Sequence, residues 1–151
     1  ILWSDSMLLV ADTIEAFAPG RTLESVTGRS RGILVAKNDT SATDRFDQIG
    51  GDVVTLRIDR DTVRSLSAVG NAQSITFRSE GEEREGLAKV ASDTIRALFE
   101  AGQLTDVYWL GGVEGEHHPE PVVAGRAETY RLPNFVWRTD RPRLEVLPAR
   151  P

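Results

Sequence analysis

Side chains able to do acid–base, nucleophilic or metal chemistry are thinly spread along this sequence. His117 and His118 are the only histidines, and neighbours on an extended strand point to opposite faces, so the two do not converge on one site. Glu114, Glu116 and His118 share a parity, and their donor types suit zinc. A surface turn beside Pro119 is the blander reading and the one expected. There is no cysteine, which removes disulfides, thiolate nucleophiles and cysteine-held metals together. No serine has a histidine at a recognisable motif distance, and neither a nucleophile elbow nor a phosphate-binding glycine loop occurs. Asn38-Asp39-Thr40 matches a glycosylation sequon, a pattern short enough to arise by accident. The expectation is a protein that is not an enzyme and has no cofactor and no metal.

Three aspartates carry more information than any catalytic pattern. Asp12, Asp52 and Asp93 each open an apolar segment; Leu23, Val63 and Leu104 follow at one fixed spacing, and Val26, Leu66 and Val107 at another. The chain therefore repeats a unit of roughly 40 residues three times, at about 8–48, 49–89 and 90–125. Turns fall at one phase in each unit, at Pro19-Gly20, Asp59-Arg60-Asp61 and Ala101-Gly102, and Gly70-Asn71 marks a further break. Each aspartate follows a small residue and reads as a turn or strand-edge group making local backbone hydrogen bonds. Gly28, Gly70 and Gly111 read as bulge or bend positions. Lys37 to Gln48 and Ser79 to Gly86 read as solvated connections between units. A capping segment containing Tyr130 and Phe135 to Trp137 completes a domain over residues 1–140, and 141–151 forms a C-terminal tail.

Strand parity then selects an apolar face. At the same offsets from each aspartate stand Ile14, Ala16 and Ala18; Val54, Leu56 and Ile58; and Ile95, Ala97 and Phe99. Val26, Leu66, Ala68, Val107 and Trp109 extend the set on the returning run, as do Ile33, Val35, Ile75 and Phe77 on the third run of the first two units. In the third unit Glu116 and His118 take those places. Leu87 to Gly102 has helical spacing when taken alone, but the equivalent GDVVTLRID run is rich in β-branched residues, so a strand is expected. No helix is available as a lid, which leaves a sheet folded over on itself. If its two walls are splayed, the interior is a trough suited to acyl chains, at about 0.8 kcal/mol per buried methylene.

The bulk properties agree with a folded β-domain and exclude some partners. A net charge of −5 and a pI near 5.1 argue against an electrostatic grip on nucleic acid. No basic stripe for an anionic membrane surface and no segment of transmembrane-helix length are present. The sequence starts at Ile1 inside repeat-like sequence, which suggests further repeats before it, and it contains no signal peptide, so any such peptide would lie outside it.

The segments VADTIEAF, GGDVVTLRI and ASDTIRALFEAGQLTDV, with the endings AVGNAQSITF and WLGGVEG, resemble the LptA/OstA family of lipopolysaccharide-transport proteins over roughly residues 8 to 118. The resemblance implies an all-β fold, an open β-jellyroll of folded-over, V-shaped antiparallel sheets. It implies a periplasmic lipid-binding module that carries lipopolysaccharide, through its lipid A acyl chains, or a related acylated glycolipid toward the outer membrane. Its groove would be lined by Ile14, Ala16, Val26, Ile33, Val35, Val54, Leu56, Ile58, Leu66, Ala68, Ile75, Phe77, Ile95, Ala97, Phe99, Val107 and Trp109. Its partners would be other β-jellyroll proteins of an envelope bridge, or further copies of itself, joined end to end through edge strands. From a different class, the alternative expectation is a non-catalytic structural module that has a closed core and recruits other chains through its strand edges.

Overall fold

The computed structural model describes residues 2–3, 7–37, 45–80 and 83–137; the Asn38-Asp39-Thr40 sequon and the 141–151 tail lie outside them. Among these residues the fold is one antiparallel sheet of nine strands: β1 (Leu2–Trp3), β2 (Met7–Val10), β3 (Thr13–Phe17), β4 (Ser25–Lys37), β5 (Phe46–Asp59), β6 (Thr62–Glu80), β7 (Glu83–Glu100), β8 (Gln103–Leu110) and β9 (Glu114–His118). Strand order is β1-β2-β4-β5-β6-β7-β8, with β3 also on β4 and β9 also on β7. It is an open, jellyroll-like all-β architecture, not a closed barrel. Leu87 to Gly102 is strand β7 and its turn, not a helix. Buried Ile95, Ala97 and Phe99 on one face of the sheet alternate with exposed Arg96, Leu98 and Glu100 on the other, and pairing on both sides overrides the helical spacing.

The threefold repeat is visible in the backbone. Chain reversals sit at Gly20-Arg21, Arg60-Asp61 and Ala101-Gly102, and in each both residues have positive φ. The second and third are two-residue hairpin loops, Asp59 pairing with Thr62 and Glu100 with Gln103, where positive φ at both positions matches the twist of the flanking strands. A second pair of positive-φ residues follows in each unit, at Ser30-Arg31, Gly70-Asn71 and Gly111-Gly112. Opposite each pair stands the opening aspartate. Asp12 ion-pairs with Arg31 at 3.4 Å, Asp52 accepts from Asn71 Nδ2 at 3.1 Å, and the Asp93 N–H donates to the Gly111 carbonyl at 2.8 Å. These contacts differ from the local backbone hydrogen bonds expected of the aspartates, because Asp12 and Asp52 meet side chains 19 positions away on the neighbouring strand and Asp93 acts through its main-chain N–H.

At the corners the ladders slip, between Arg29 and Gly32, Gly50 and Val53, and Val69 and Ala72. Such bulges bend a strand without ending it. Each long strand thus runs through two leaves. The first leaf holds β3, the start of β4, the end of β5, the start of β6, the end of β7, and β8. The second holds β1, β2, the remaining parts of β4 to β7, and β9. One core joins the leaves: Met7, Leu9, Leu34, Ala36, Ile49 and Ala72 from the second pack with Val26, Val54, Leu56, Leu66, Ala68, Ile95, Ala97 and Phe99 from the first. Trp109 on β8 donates its indole N–H to Ser74 Oγ on β6 at 2.9 Å, a polar tie between the leaves.

A second core lies on the other side of the second leaf. Leu8, Ile33, Val35, Phe46, Ile75, Phe77 and Leu87 are covered there by Val123, Ala127 and Leu132 of a strap, residues 119–137, in which helix α1 (Glu120–Val123) is the one α-helical turn. Tyr130, Phe135, Val136 and Trp137 of the strap pack against this core, on the outer face of the second leaf and not on the end of the repeat array.

Two expectations are corrected by this arrangement. Lys37 to Gln48 is not a solvated connection throughout, because Arg45, Phe46, Asp47 and Gln48 are buried and β5 starts at Phe46. Ser79 to Gly86 likewise includes the ends of β6 and β7, and Gly86 is buried beneath the strap, where an added Cβ would lie 2.0 Å from the His118 carbonyl oxygen.

Candidate functional site

The residues expected to line one groove divide between the two cores. Val26, Val54, Leu56, Leu66, Ala68, Ile95, Ala97 and Phe99 are buried between the leaves, with Ile14, Ile58, Val107 and Trp109 half-buried against them. Ala16 is exposed. Ile33, Val35, Ile75 and Phe77 belong to the core under the strap. The positive-φ pairs at the corners bend β4 and β6 but leave each a single strand, so side-chain alternation carries through. Leu34 and Ala36 share a face with Val26, and Ala72 and Ser74 share one with Leu66 and Ala68. The third-run residues on the interleaved positions therefore point away from the shared interior.

Between the leaves the middle of the sheet is tightly closed. Val26, Val54, Ala68, Ile95 and Ala97 have no exposed surface, so an acyl chain would have to displace packed side chains to reach them. Exposure returns at the margin, where Ile14, Leu23, Ile58, Val63, Leu104, Val107 and Trp109 form a half-buried apolar rim.

No protein-family model matches the sequence, and neither does any curated protein. What the repeat leaves incomplete is the feature of the molecule that bears on function.

Within a unit, Ala16 pairs with Val26, Leu56 with Leu66 and Ala97 with Val107. Between units, Val26 pairs with Leu56 and Leu66 with Ala97, and one step along Gly28 pairs with Val54 and Ala68 with Ile95. Measured from the opening aspartates, these junctions have one register. A position flanked on both sides is buried, as at Val54, Leu56, Leu66 and Ala68. The equivalents on the outermost strands, Ile14 and Ala16 on β3 and Val107 and Trp109 on β8, are half-buried or exposed. Large apolar residues stand exposed there too: Phe17 on β3 at 59%, and Tyr108 and Leu110 on β8 at 51% and 45%.

Polar chemistry is concentrated under the strap. Arg45, itself buried, makes a two-pronged ion pair with Glu120, which also accepts the Gly86 N–H at 3.1 Å. The Arg45 hydrogen bonds hold the Glu120 carboxyl below the usual carboxylate range; burial opposes them, and the Arg45 charge, the Gly86 N–H and Arg84 assist. Gln48 clamps the strap backbone, donating to the Tyr130 carbonyl at 3.0 Å and accepting the Leu132 N–H at 2.7 Å. Arg45, Gln48 and Glu120 carry no signal of this role in the sequence. His118 meets Glu116 at 3.2 Å and packs against Tyr130 in a tilted ring contact with centroids 5.0 Å apart, so it is tied to the strap's base.

Proposed function

We propose that this chain is a non-catalytic assembly module whose copies join through their strand edges, β8 of one copy pairing with β3 of the next. The supporting observation is the common register of the junctions between units. Continued past β8, it sets Val107 opposite Ala16, Trp109 opposite Ile14 and Tyr108 opposite Glu15 of the following copy. Each outer strand then gains the neighbour that buries its equivalents inside the chain. Unpaired N–H and C=O groups on an edge are a ready template for such addition.

The absence of native cysteine gives a clean test. Directly opposed antiparallel positions have Cβ atoms about 4.5–5.5 Å apart, close enough for oxidative crosslinking after small adjustment. The double variant Tyr108→Cys with Glu15→Cys is expected to form covalent ladders whose length rises with protein concentration. The mismatched pair Tyr108→Cys with Phe17→Cys is expected to crosslink far less. A monomeric mass at every concentration in sedimentation, together with equal crosslinking of the two pairs, rejects the proposal.

A second reading is favoured by the half-buried apolar rim and by the resemblance to LptA/OstA proteins. In it the module is periplasmic and takes the acyl chains of lipopolysaccharide or a related glycolipid between V-shaped walls, handing them along stacked copies toward the outer membrane. Photo-crosslinkers placed at Ile58 and Trp109 in cells with a lipopolysaccharide-containing envelope should then capture acylated lipid, while Arg29 on the outer face should not. Equal labelling at all three positions removes this reading without touching the first.

A further inference from the structure

The outer face of the first leaf carries a grid of six side chains on three adjacent strands. Arg57, Ser65 and Leu98 form one row, and Thr55, Ser67 and Arg96 the next, by the pairing of β5, β6 and β7. Short hydroxyl side chains fill the middle column and an arginine stands at each of two opposite corners. The result is a depression of about 530 Å³ lined by Thr55, Arg57, Ser65, Ser67, Arg96 and Leu98 over the backbone of β6. Strand spacing and rise place the two arginine Cα atoms roughly 12 Å apart across that floor, so both guanidinium arms can converge on a group seated between them.

The charges around this grid are already distributed in a telling way. Glu15 pairs with Arg29 at 3.6 Å, and Asp59 with Arg64 at 4.0 Å. Glu100 and Asp106 are the other carboxylates near it on this face. Among the described residues, neither Arg57 nor Arg96 has an ion pair, and the hydroxyls of Ser65 and Ser67 have no hydrogen-bond partner. In a chain of net charge −5, two unpaired guanidinium groups flanking two free hydroxyls are a local excess of donors. Guanidinium forks match tetrahedral oxyanions in geometry as well as charge.

We propose that this depression binds a phosphate group, held by Arg57 and Arg96 with hydroxyl donors from Ser65 and Ser67. The site is independent of the edge-strand assembly, since all four residues lie on strands paired on both sides.

The test is a titration of the intact chain, followed by NMR of the arginine side chains at fixed ionic strength. Three probes are used: inorganic phosphate, glucose 1-phosphate, and vesicles of phosphatidylcholine with or without phosphatidic acid. Saturable shifts confined to Arg57 and Arg96 are expected, weakened about tenfold or more in Arg57→Gln and in Arg96→Gln and unchanged in Arg29→Gln. Thermal melts check that the variants fold, and Arg57→Lys, which keeps the charge but not the fork, should be intermediate. Response to the two soluble probes supports a free or sugar-borne phosphate, whereas response only to phosphatidic acid supports a lipid headgroup. The proposal is overturned if no probe gives a saturable shift, if chloride at matched ionic strength gives the same shifts, or if a folded Arg57→Gln/Arg96→Gln double variant binds as the unsubstituted chain does.

Discussion

Replacing Gln48 by methionine tests the strap directly. Gln48 is 1% exposed on β5, and its amide joins two backbone groups of the strap that lie more than 80 positions away in sequence. Methionine has nearly the same length, so packing is conserved while both strap hydrogen bonds disappear, along with a longer one to the Phe46 carbonyl at 3.4 Å. The buried Leu132 N–H loses its partner at a cost of about 1–3 kcal/mol, and the part-buried Tyr130 carbonyl adds about 1 kcal/mol. Relief from burying an amide returns roughly 1 kcal/mol. The expected net loss is about 2 kcal/mol, measured by urea unfolding at unchanged slope. Hydrogen exchange locates it: amides of 119–137, including Val123 and Leu132, should lose far more protection than those around Leu66 in the shared core. A loss below about 0.5 kcal/mol, or an equal rise in exchange at Leu66 and Leu132, refutes the clamp.

Glu120→Gln should cost about 2 kcal/mol near neutral pH, less than the ~3–5 typical of a fully buried pair broken on one side, because the Glu120 side chain is 25% exposed. The folded carboxyl titrates below its unfolded value, so its stabilisation is present above the unfolded pKa and lost as pH falls through the folded one. Strap protection in the unsubstituted chain should therefore fall in acid, below roughly pH 4, while the variant stays flat through that window; parallel pH profiles contradict the assignment. Gly70→Ala must accept φ +84 and a Cβ 2.5 Å from Asp52 Oδ2, which should cost about 1–3 kcal/mol. Adding Asp52→Ala should recover the steric part only, and strictly additive melting data would disprove the contact.

Strand runs, turn phases and junction register were legible because three copies of one pattern fixed them jointly. No single window had that power: Leu87 to Gly102 taken alone favours a helix, and only its equivalence to GDVVTLRID makes it β7. Ile33, Val35, Ile75 and Phe77 leave the shared interior for a definite reason. A break such as Gly70-Asn71 predicts the end of a strand, after which alternation starts afresh. The positive-φ pair instead bends the strand, so alternation continues through it. The second core was hidden for another reason. Arg45, Asp47 and Gln48 look like solvated polar residues, but their partners are Glu120, the Phe77 N–H and the strap backbone. Pairings across 30 to 84 positions leave no periodic trace in one sequence.

The two leaves also differ in how their boundaries are finished, and this bears on where a partner could add. In the second leaf the β2 flank is taken by β1, and the strap covers the outer apolar face. β1 and β9 have one strand neighbour each there among the described residues, as β3 and β8 do in the first leaf, so what sets the second leaf apart is the strap over its outer face. In the first leaf β3 and β8 have one strand neighbour each among the described residues, and their inward residues Ile14, Val107 and Trp109 remain half-buried. Burying them requires only one further strand in a register the chain already uses at its internal junctions. Repeat arrays that stop at a bare unit expose a hydrophobic half-interface unless a cap covers it. Here the strap covers the outer face of the second leaf, while the first leaf keeps the half-buried apolar rim uncovered.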